Sequence, residues 1–385
     1  MMHLLLPLPL LALVEVSVHL SSVHAMSTNL VAAVETAHRE TSPVLLRLHD
    51  GEDAGKVSEA THMASLSIEQ RVAFFRDQAQ ARHVVRSATV PVIAVAPDGP
   101  LSGVAAGLFL AASHRIASLK TTYAVPDCRS GYCPAHGAIG VLARLDAAHI
   151  ANAVALGALE LNAHDLTELG LATHYVPSAE ALHDMTIELR ASPGDFFDVP
   201  LSRRTRKAPP LHLVPLYASE QAAPLYAALQ KSFGDAVGSV EAMRLCLERQ
   251  RMIATSHAAA LATEPCGIHI RTQERALAVA SALESASAAL NPQCSCPEAL
   301  ATTYAALRVA RSKPAETPAA ILKQDLALDL ALDSRLHARA DSGVQQQLLP
   351  PELAEECIAF GKALEPSVAA EITTRSIPMS RAPGR

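Results

Sequence analysis

The chain of 385 residues carries 38 Asp and Glu against 32 Lys and Arg, a formal net charge of −6, and 50% of it is hydrophobic. High hydrophobicity with low net charge excludes a disordered chain, and at roughly 150 residues per domain the length fits about two folded units. The acidic balance, the lack of Trp and an aromatic content of 3% argue against direct DNA binding and against a base-stacking platform.

The N-terminal run Leu4 to Leu13 is apolar, and Val23-His24-Ala25 resembles a signal-peptidase site. No Lys or Arg precedes Arg39, Pro7 and Pro9 interrupt the run, and Glu15 follows it. The residues thus leave a cleaved signal and a buried first strand as competing readings, and give neither a membrane span nor an Arg-bearing presequence. Val16 to Leu20 alternates as a strand does, and Ser27 to Arg39 has Leu30, Val34 and His38 along one helical face. Pro43 to Leu48 is a second strand. Ser67 followed by Gln70 predicts a capping box for a helix through Arg86. Val90 to Ala96 is continuously apolar, the pattern of a strand buried on both faces. The turn Pro97-Asp98-Gly99-Pro100 delivers it to a helix over Gly103 to Ser113.

Two short helices are expected from Ala138 to Gly157. Asn162 caps a helix ending at Gly170, Ala172 to Val176 is a strand, and Ser178 caps a helix over Ala179 to Arg190. The prolines and the basic run Arg203-Arg204-Thr205-Arg206-Lys207 mark 191–218 as a linker or surface loop. Helices are expected at 219–232, 240–262, 270–290, 297–312, 318–340 and 350–363. This order predicts a core over 14–190, a helical region over 219–370 and a frayed tail over 371–385. Alternating strands and helices in the first half make it an α/β unit.

The seven cysteines, Cys128, Cys133, Cys246, Cys266, Cys294, Cys296 and Cys357, are irregularly spaced and read as thiols of a reducing compartment. Cys128, Cys133 and His136 lack a fourth ligand at a zinc-site spacing, and no metal site is expected. The stretch from Gly99 to Leu108 sets a glycine-bearing loop at a helix N-terminus, whose N–H groups can hold an oxyanion. Asp127 is a carboxylate that could face such a hole. On spacing alone an ordinary strand–helix turn with a surface Asp competes with this reading.

The stretch Pro91 to Leu108, with Tyr123-Ala124-Val125-Pro126-Asp127, Gly131-Tyr132-Cys133-Pro134 and Leu142-Ala143-Arg144-Leu145, resembles the enoyl-CoA hydratase/isomerase (crotonase) family, and within it the 3-hydroxyisobutyryl-CoA hydrolase branch. Phe74-Phe75-Arg76-Asp77-Gln78 is similar to the branch's F-F-R-x-E run, and Gly170 to Val176 to its G-L-A-T-H-F-V segment. Val18 to Leu30 resembles the first strand and turn, which favours a strand over a signal peptide. Pro297 to Leu307, Leu326 to Val344 and Pro351 to Phe360 resemble the C-terminal helices. The resemblance implies a crotonase-like spiral fold with a mostly helical C-terminal region. It implies no resident cofactor, coenzyme A entering only as part of a thioester, and it points to mitochondria.

The resemblance also implies a site, and that site is altered. The A-G-G-D loop is shortened to Asp53-Ala54-Gly55-Lys56, leaving Lys56 beside the substrate. In the G-G-G turn Gly103 remains and the middle glycine is Val104, whose N–H survives behind a β-branched side chain. The glutamate after Met-Pro is Asp127, one methylene shorter. The aspartate after the second Pro is Ala135, which holds no proton, and the glutamate of F-F-R-x-E is Gln78. A lost general acid or base costs about 10²–10⁴ in rate. Two functions are therefore expected to compete. One is a pseudoenzyme with a structural or assembly role among protein subunits of a large complex, such as a mitochondrial ribosome. The other is an acyl-CoA thioester hydrolase of valine catabolism, with Asp127 catalytic and Gln78, Gly103, Val104 and Lys56 binding substrate.

Overall fold

The computed structural model describes residues 14–18, 23–48, 66–96, 98–191, 223–234, 236–262, 267–291, 296–312, 318–336 and 359. Lys56 and its loop, the 191–218 segment beyond Ala191 with its basic run, the 371–385 tail and, apart from residue 359, the helix expected at 350–363 lie outside the described residues.

In chain order the elements are β1 (Val14–Val18), α1 (Val23–Glu40), β2 (Val44–Leu48), α2 (Ile68–Ser87), β3 (Val92–Val95), β4 (Pro100–Leu101), α3 (Gly103–Ala111), β5 (His114–Ser118) and β6 (Thr122–Tyr123). A 3₁₀ turn over Asp127–Ser130 leads to α4 (Ala138–Ala143), α5 (Ala148–Gly157), β7 (Leu161–Asn162), α6 (Ala163–Glu168), β8 (His174–Val176) and α7 (Ala179–Ala191). The rest is helical: α8 (Ala223–Phe233), α9 (Val240–Ala262), α10 (Gly267–Ala289), α11 (Pro297–Ser312) and α12 (Pro318–Leu336).

The caps form where the side chains to make them occur. Ser67 Oγ accepts from the Gln70 N–H at 3.3 Å while Gln70 Oε1 accepts from the Ser67 N–H at 2.8 Å, the reciprocal box that starts α2. Asn162 and Asp165 make the same exchange at α6, and Ser178 Oγ accepts from Ala181 N–H at α7. Gly170, at φ +69, closes the turn after α6 in the left-handed region.

The chain divides into two compact units that interleave in sequence. The first comprises residues 1–53, 80–122 and 162–209. Its described part holds a parallel sheet in the order β1-β2-β3-β5-β8, with Val44 opposite Val92, Ile93 opposite His114 and Ile116 opposite His174. Every residue of β3 is buried, as its unbroken apolar run requires. Leu45, Ile93, Val95, Ile116, Val176 and Met185 form one core between the sheet and α7. Each such side chain contributes about 1.5–3 kcal/mol relative to exposure.

Strand β5 has no counterpart among the sequence expectations. It opens on His114 and Arg115, which do not look like the start of a central strand. Arg115 is committed to tertiary contacts instead, donating to the carbonyls of Ala112, Gly170 and Leu171 at 2.8 Å each. Those oxygens end α3 and follow α6, so the guanidinium closes two helix termini from inside the sheet.

The second unit comprises residues 54–79, 123–161 and 210–385. In it α9 and α10 pack along each other, α8 packs on α9 and α5, and α11 lies against α4 and α5. Asn152 of α5 donates to the Phe233 carbonyl at 2.9 Å and its Oδ1 accepts from Arg311 at 2.9 Å, joining three helices through one buried amide. Among the described residues no helix is long and apolar enough to cross a membrane.

Gly140 lets α12 approach α4. A Cβ there would overlap Asp325 Oδ1 and stand 3.2 Å from Asp325 Cγ and 3.4 Å from Arg144 Nη1, with Asp325 itself 2% exposed. Gly140→Ala is expected to destabilise the protein by about 1–3 kcal/mol through overpacking, read as a lowered denaturation midpoint. Asn162→Ala is expected to cost about 1 kcal/mol through the lost cap.

Candidate functional site

The expected site residues fall in both units. Gly103 and Val104 belong to the first. Gly103 has φ +53, a left-handed conformation that favours glycine, where β4 gives way to α3. The first intrahelical bond there is Ala106 N–H to the Ser102 carbonyl at 3.2 Å, so the Gly103 and Val104 N–H groups precede the helical ladder. The Val104 side chain is turned into the core, as are those of Leu108 and Phe109, and α3 is a buried helix throughout most of its length.

Asp127, Ala135 and Gln78 belong to the second unit. Asp127 is half-buried and heads the 3₁₀ turn, whose end is fixed by Gly131 at φ +84 and by Tyr132 N–H donating to the Asp127 carbonyl at 3.1 Å. The turn is anchored from behind by two thiols. Cys128 Sγ lies 3.3 Å from Thr303 Oγ1 and 3.5 Å from the Ala155 carbonyl, and Cys133 Sγ lies 3.6 Å from the Ala299 carbonyl. Thr303 and Ala299 are one turn apart on α11, so a single helix face holds both ends of the segment. Arg129 adds bonds to the carbonyl and hydroxyl of Ser285 on α10 at 3.4 and 3.3 Å.

Ala135 is half-exposed and presents only a methyl group. The next residue, His136, has φ +57 and is 4% exposed, with its ring 5.9 Å from that of Phe74 at 73° and 6.3 Å from that of Phe75. A bulky residue in the left-handed region carries backbone strain, offset here by aromatic packing. Gln78 follows Phe74 and Phe75 by one helical turn on the same buried face of α2 and is 1% exposed. Its Nε2 has no hydrogen-bond partner among the described residues. The structure thus joins the α2 face of Gln78 to the Ala135–His136 turn through the two Phe rings.

The electrostatics of the second unit follow from burial. Desolvation pushes the Cys128 thiol well above its ordinary range, with Cys133, Asp127 and Cys296 adding to the rise and Thr303 opposing it. Tyr123 is pushed up as well, by burial first and then by the Asp127 charge. From the sequence Tyr123 enters only within a longer motif, and the nest around His136 not at all. A tyrosine four residues before Asp127 was the available signal for the first, whereas the second depends on contacts between distant segments. Among the described residues no group of three or more His, Cys, Asp or Glu could hold a metal ion.

The model of the enoyl-CoA hydratase/isomerase family matches residues 48–349. The chain belongs to that family. Three curated relatives share parts of it. A probable 3-hydroxyisobutyryl-CoA hydrolase of Arabidopsis thaliana is 34% identical over 105 residues, 27% of either chain. A mitochondrial 3-hydroxyisobutyryl-CoA hydrolase of Gallus gallus is 30% identical over 107 residues, 28% of this chain and 27% of its own. The small ribosomal subunit protein mS47 of Neurospora crassa is 26% identical over 151 residues, 39% of this chain and 29% of its own. The matched parts therefore span less than a third of each relative's length. Among solved structures, a carnitinyl-CoA dehydratase from Mycobacterium thermoresistibile superposes with a TM-score of 0.60 at 18% identity, covering 91% of this chain and 93% of its own. That likeness establishes the crotonase fold expected from the sequence.

Because Cys128 is 2% exposed and its thiol ionises late, an alkylation time course at pH 8 followed by mass spectrometry is expected to label half-exposed Cys246 well before Cys128. The folded thiol stays protonated where the unfolded one, at about 8.5, ionises, so its contribution is intact below that pH and is lost as pH rises above it. Cys128→Ala should flatten that alkaline loss in denaturant melts taken between about pH 7 and 10.

Proposed function

We propose that this member of the enoyl-CoA hydratase/isomerase family has the frame of a 3-hydroxyisobutyryl-CoA hydrolase, has lost effective thioester hydrolysis, and serves a structural or assembly role in a larger complex in mitochondria. The observation that carries this reading is the Ala135–His136 turn. Where the resemblance calls for an acid there is a methyl group, and the adjacent imidazole is packed on Phe74 and Phe75. Val104 adds to it, since its side chain is core. The likeness to ribosomal protein mS47 supports a subunit role, and the mitochondrial hydrolase of Gallus gallus supports the compartment. With a net charge of −6 the protein would hold its place through protein neighbours, in a mitochondrial ribosome or a complex of that kind, rather than through a broad grip on nucleic acid. No resident cofactor is needed for this role.

An active hydrolase is the second reading, favoured by the carboxylate kept at Asp127 and by the buried donor Gln78 Nε2. Coenzyme A would then enter as part of the thioester, Asp127 would direct water at the carbonyl, and Lys56, Gly103 and Val104 would contribute to binding.

Purified protein given 3-hydroxyisobutyryl-CoA and related short acyl-CoA thioesters is expected to release free CoA no faster than the uncatalysed control, and the protein in organelle lysate is expected to sediment with a large particle. Turnover of about 1 s⁻¹ or more, abolished by Asp127→Asn, would establish the hydrolase instead. Co-sedimentation insensitive to Asp127→Asn is the outcome that fits a subunit.

A further inference from the structure

Of the seven exposed large hydrophobic residues among the described ones, five lie on α9 and α10: Leu245, Met252, Ile253, Ile270 and Leu277. The two helices pack along each other, and only four residues separate Ala262 from Gly267, so they run antiparallel. Met252 stands ten residues before Ala262 and Leu277 ten after Gly267, which sets them level. By the same count Ala259 is level with Ile270, and Leu245 with Glu284. These three rungs are seven residues, or about 10.5 Å, apart. Over 251–278, Ala258 and Ala276 are the only described residues that are buried, and they mark the seam between the helices. Heptad spacing from these two alanines puts all six rung residues one step past the seam. In an antiparallel pair that step turns both helices to the same side of the hairpin.

This side is apolar with an acidic edge. Glu248 lies three residues from Leu245 and four from Met252, and Glu274 lies three from Leu277 and four from Ile270, so both share it with Glu284. Glu241, four residues before Leu245, joins them. Arg244 is ion-paired with Glu241 and Glu248 at 2.6 and 2.9 Å, and Arg249 and Ile253 border the strip. His257 and Arg275 precede the seam positions and turn the other way.

We propose that this side of the α9–α10 hairpin docks an amphipathic helix of a protein neighbour, one that carries Lys or Arg beside its apolar stripe. A third helix laid along the pair sets apolar side chains against the Met252–Leu277 and Ala259–Ile270 rungs and cations against Glu274 and Glu284. A second copy of this chain would bring the same glutamates against each other, and RNA would bring phosphates, so the charge favours a basic protein over both. The inference deepens the proposed function and rests on its subunit reading. A neighbour that itself grips nucleic acid is basic, and a chain of net charge −6 complements it.

The test uses the full chain and two synthetic helical peptides of about 21 residues with leucine at the same heptad positions, one flanked by lysine and the other by glutamate. In fluorescence anisotropy the lysine peptide is expected to bind about tenfold more tightly than the glutamate peptide. Met252→Gln combined with Leu277→Gln should weaken that binding about tenfold. Both side chains are exposed, so the thermal midpoint should stay that of the parent. Glu274→Lys combined with Glu284→Lys should invert the preference between the peptides, which a generally adhesive surface would not do. Equal binding of the two peptides, or a preference that survives the charge reversal, overturns the proposal. Self-association in sedimentation equilibrium, or binding of a poly(U) oligonucleotide, that the two glutamine substitutions abolish also overturns it, by giving the face to a second copy or to RNA. The proposed function fails instead if the unaltered protein stays out of the large particle, a result that leaves the peptide preference untouched.

Discussion

The grip of α11 on the turn from Asp127 to Cys133 is the constraint on which the second unit's candidate site depends. Two buried thiols reach the same helix face, Cys128 at Thr303 and Cys133 at Ala299, while Arg129 reaches α10. Neutral thiols suit this duty because they fill space as small hydrophobes and give a weak directional contact. A loop so held keeps its backbone path whatever happens to the reactive side chains along it. The shape of a site and its chemistry are consequently separable in this protein, and substitution of the second need not disturb the first.

That separation explains what the site retains. Asp127 keeps a carboxylate at the head of a fixed turn, and Gly103 keeps the left-handed backbone that sets the α3 amides ahead of their helix. At Ala135 no proton can be given or taken, and the His136 ring packs against Phe74 and Phe75. An enzyme's general acid or base must be able to reach the reacting group, and burial at 4% exposure in an aromatic nest works against that.

Much of the fold was legible because local rules and tertiary structure agree. The Ser67–Gln70 and Asn162–Asp165 boxes start helices where the spacing says they should, and the bounds of α9 and α11 match the periodic patterns. Strand β5 escaped because His114 and Arg115 open it, and only the carbonyls of Gly170 and Leu171, more than fifty residues away, explain the arginine. At the candidate site, the motif order singled out Asp127, Ala135 and Gln78, and all three fall in the second unit. What holds them could not be read, since Thr303 lies 175 residues from Cys128 and nothing near either residue announces the contact. The packing of His136 was hidden for the same reason.

The Asp127–Gly137 segment is held as a packed part of the second unit. Hydrogen exchange at the Gly131 and Tyr132 amides, which donate to the Cys128 and Asp127 carbonyls, tests it most directly. The account predicts that in the full chain these amides exchange as slowly as those in the middle of α11, and that Thr303→Val speeds them without unfolding α11. Exchange within seconds at Gly131 and Tyr132 in the unaltered protein, beside a protected α11, would contradict it.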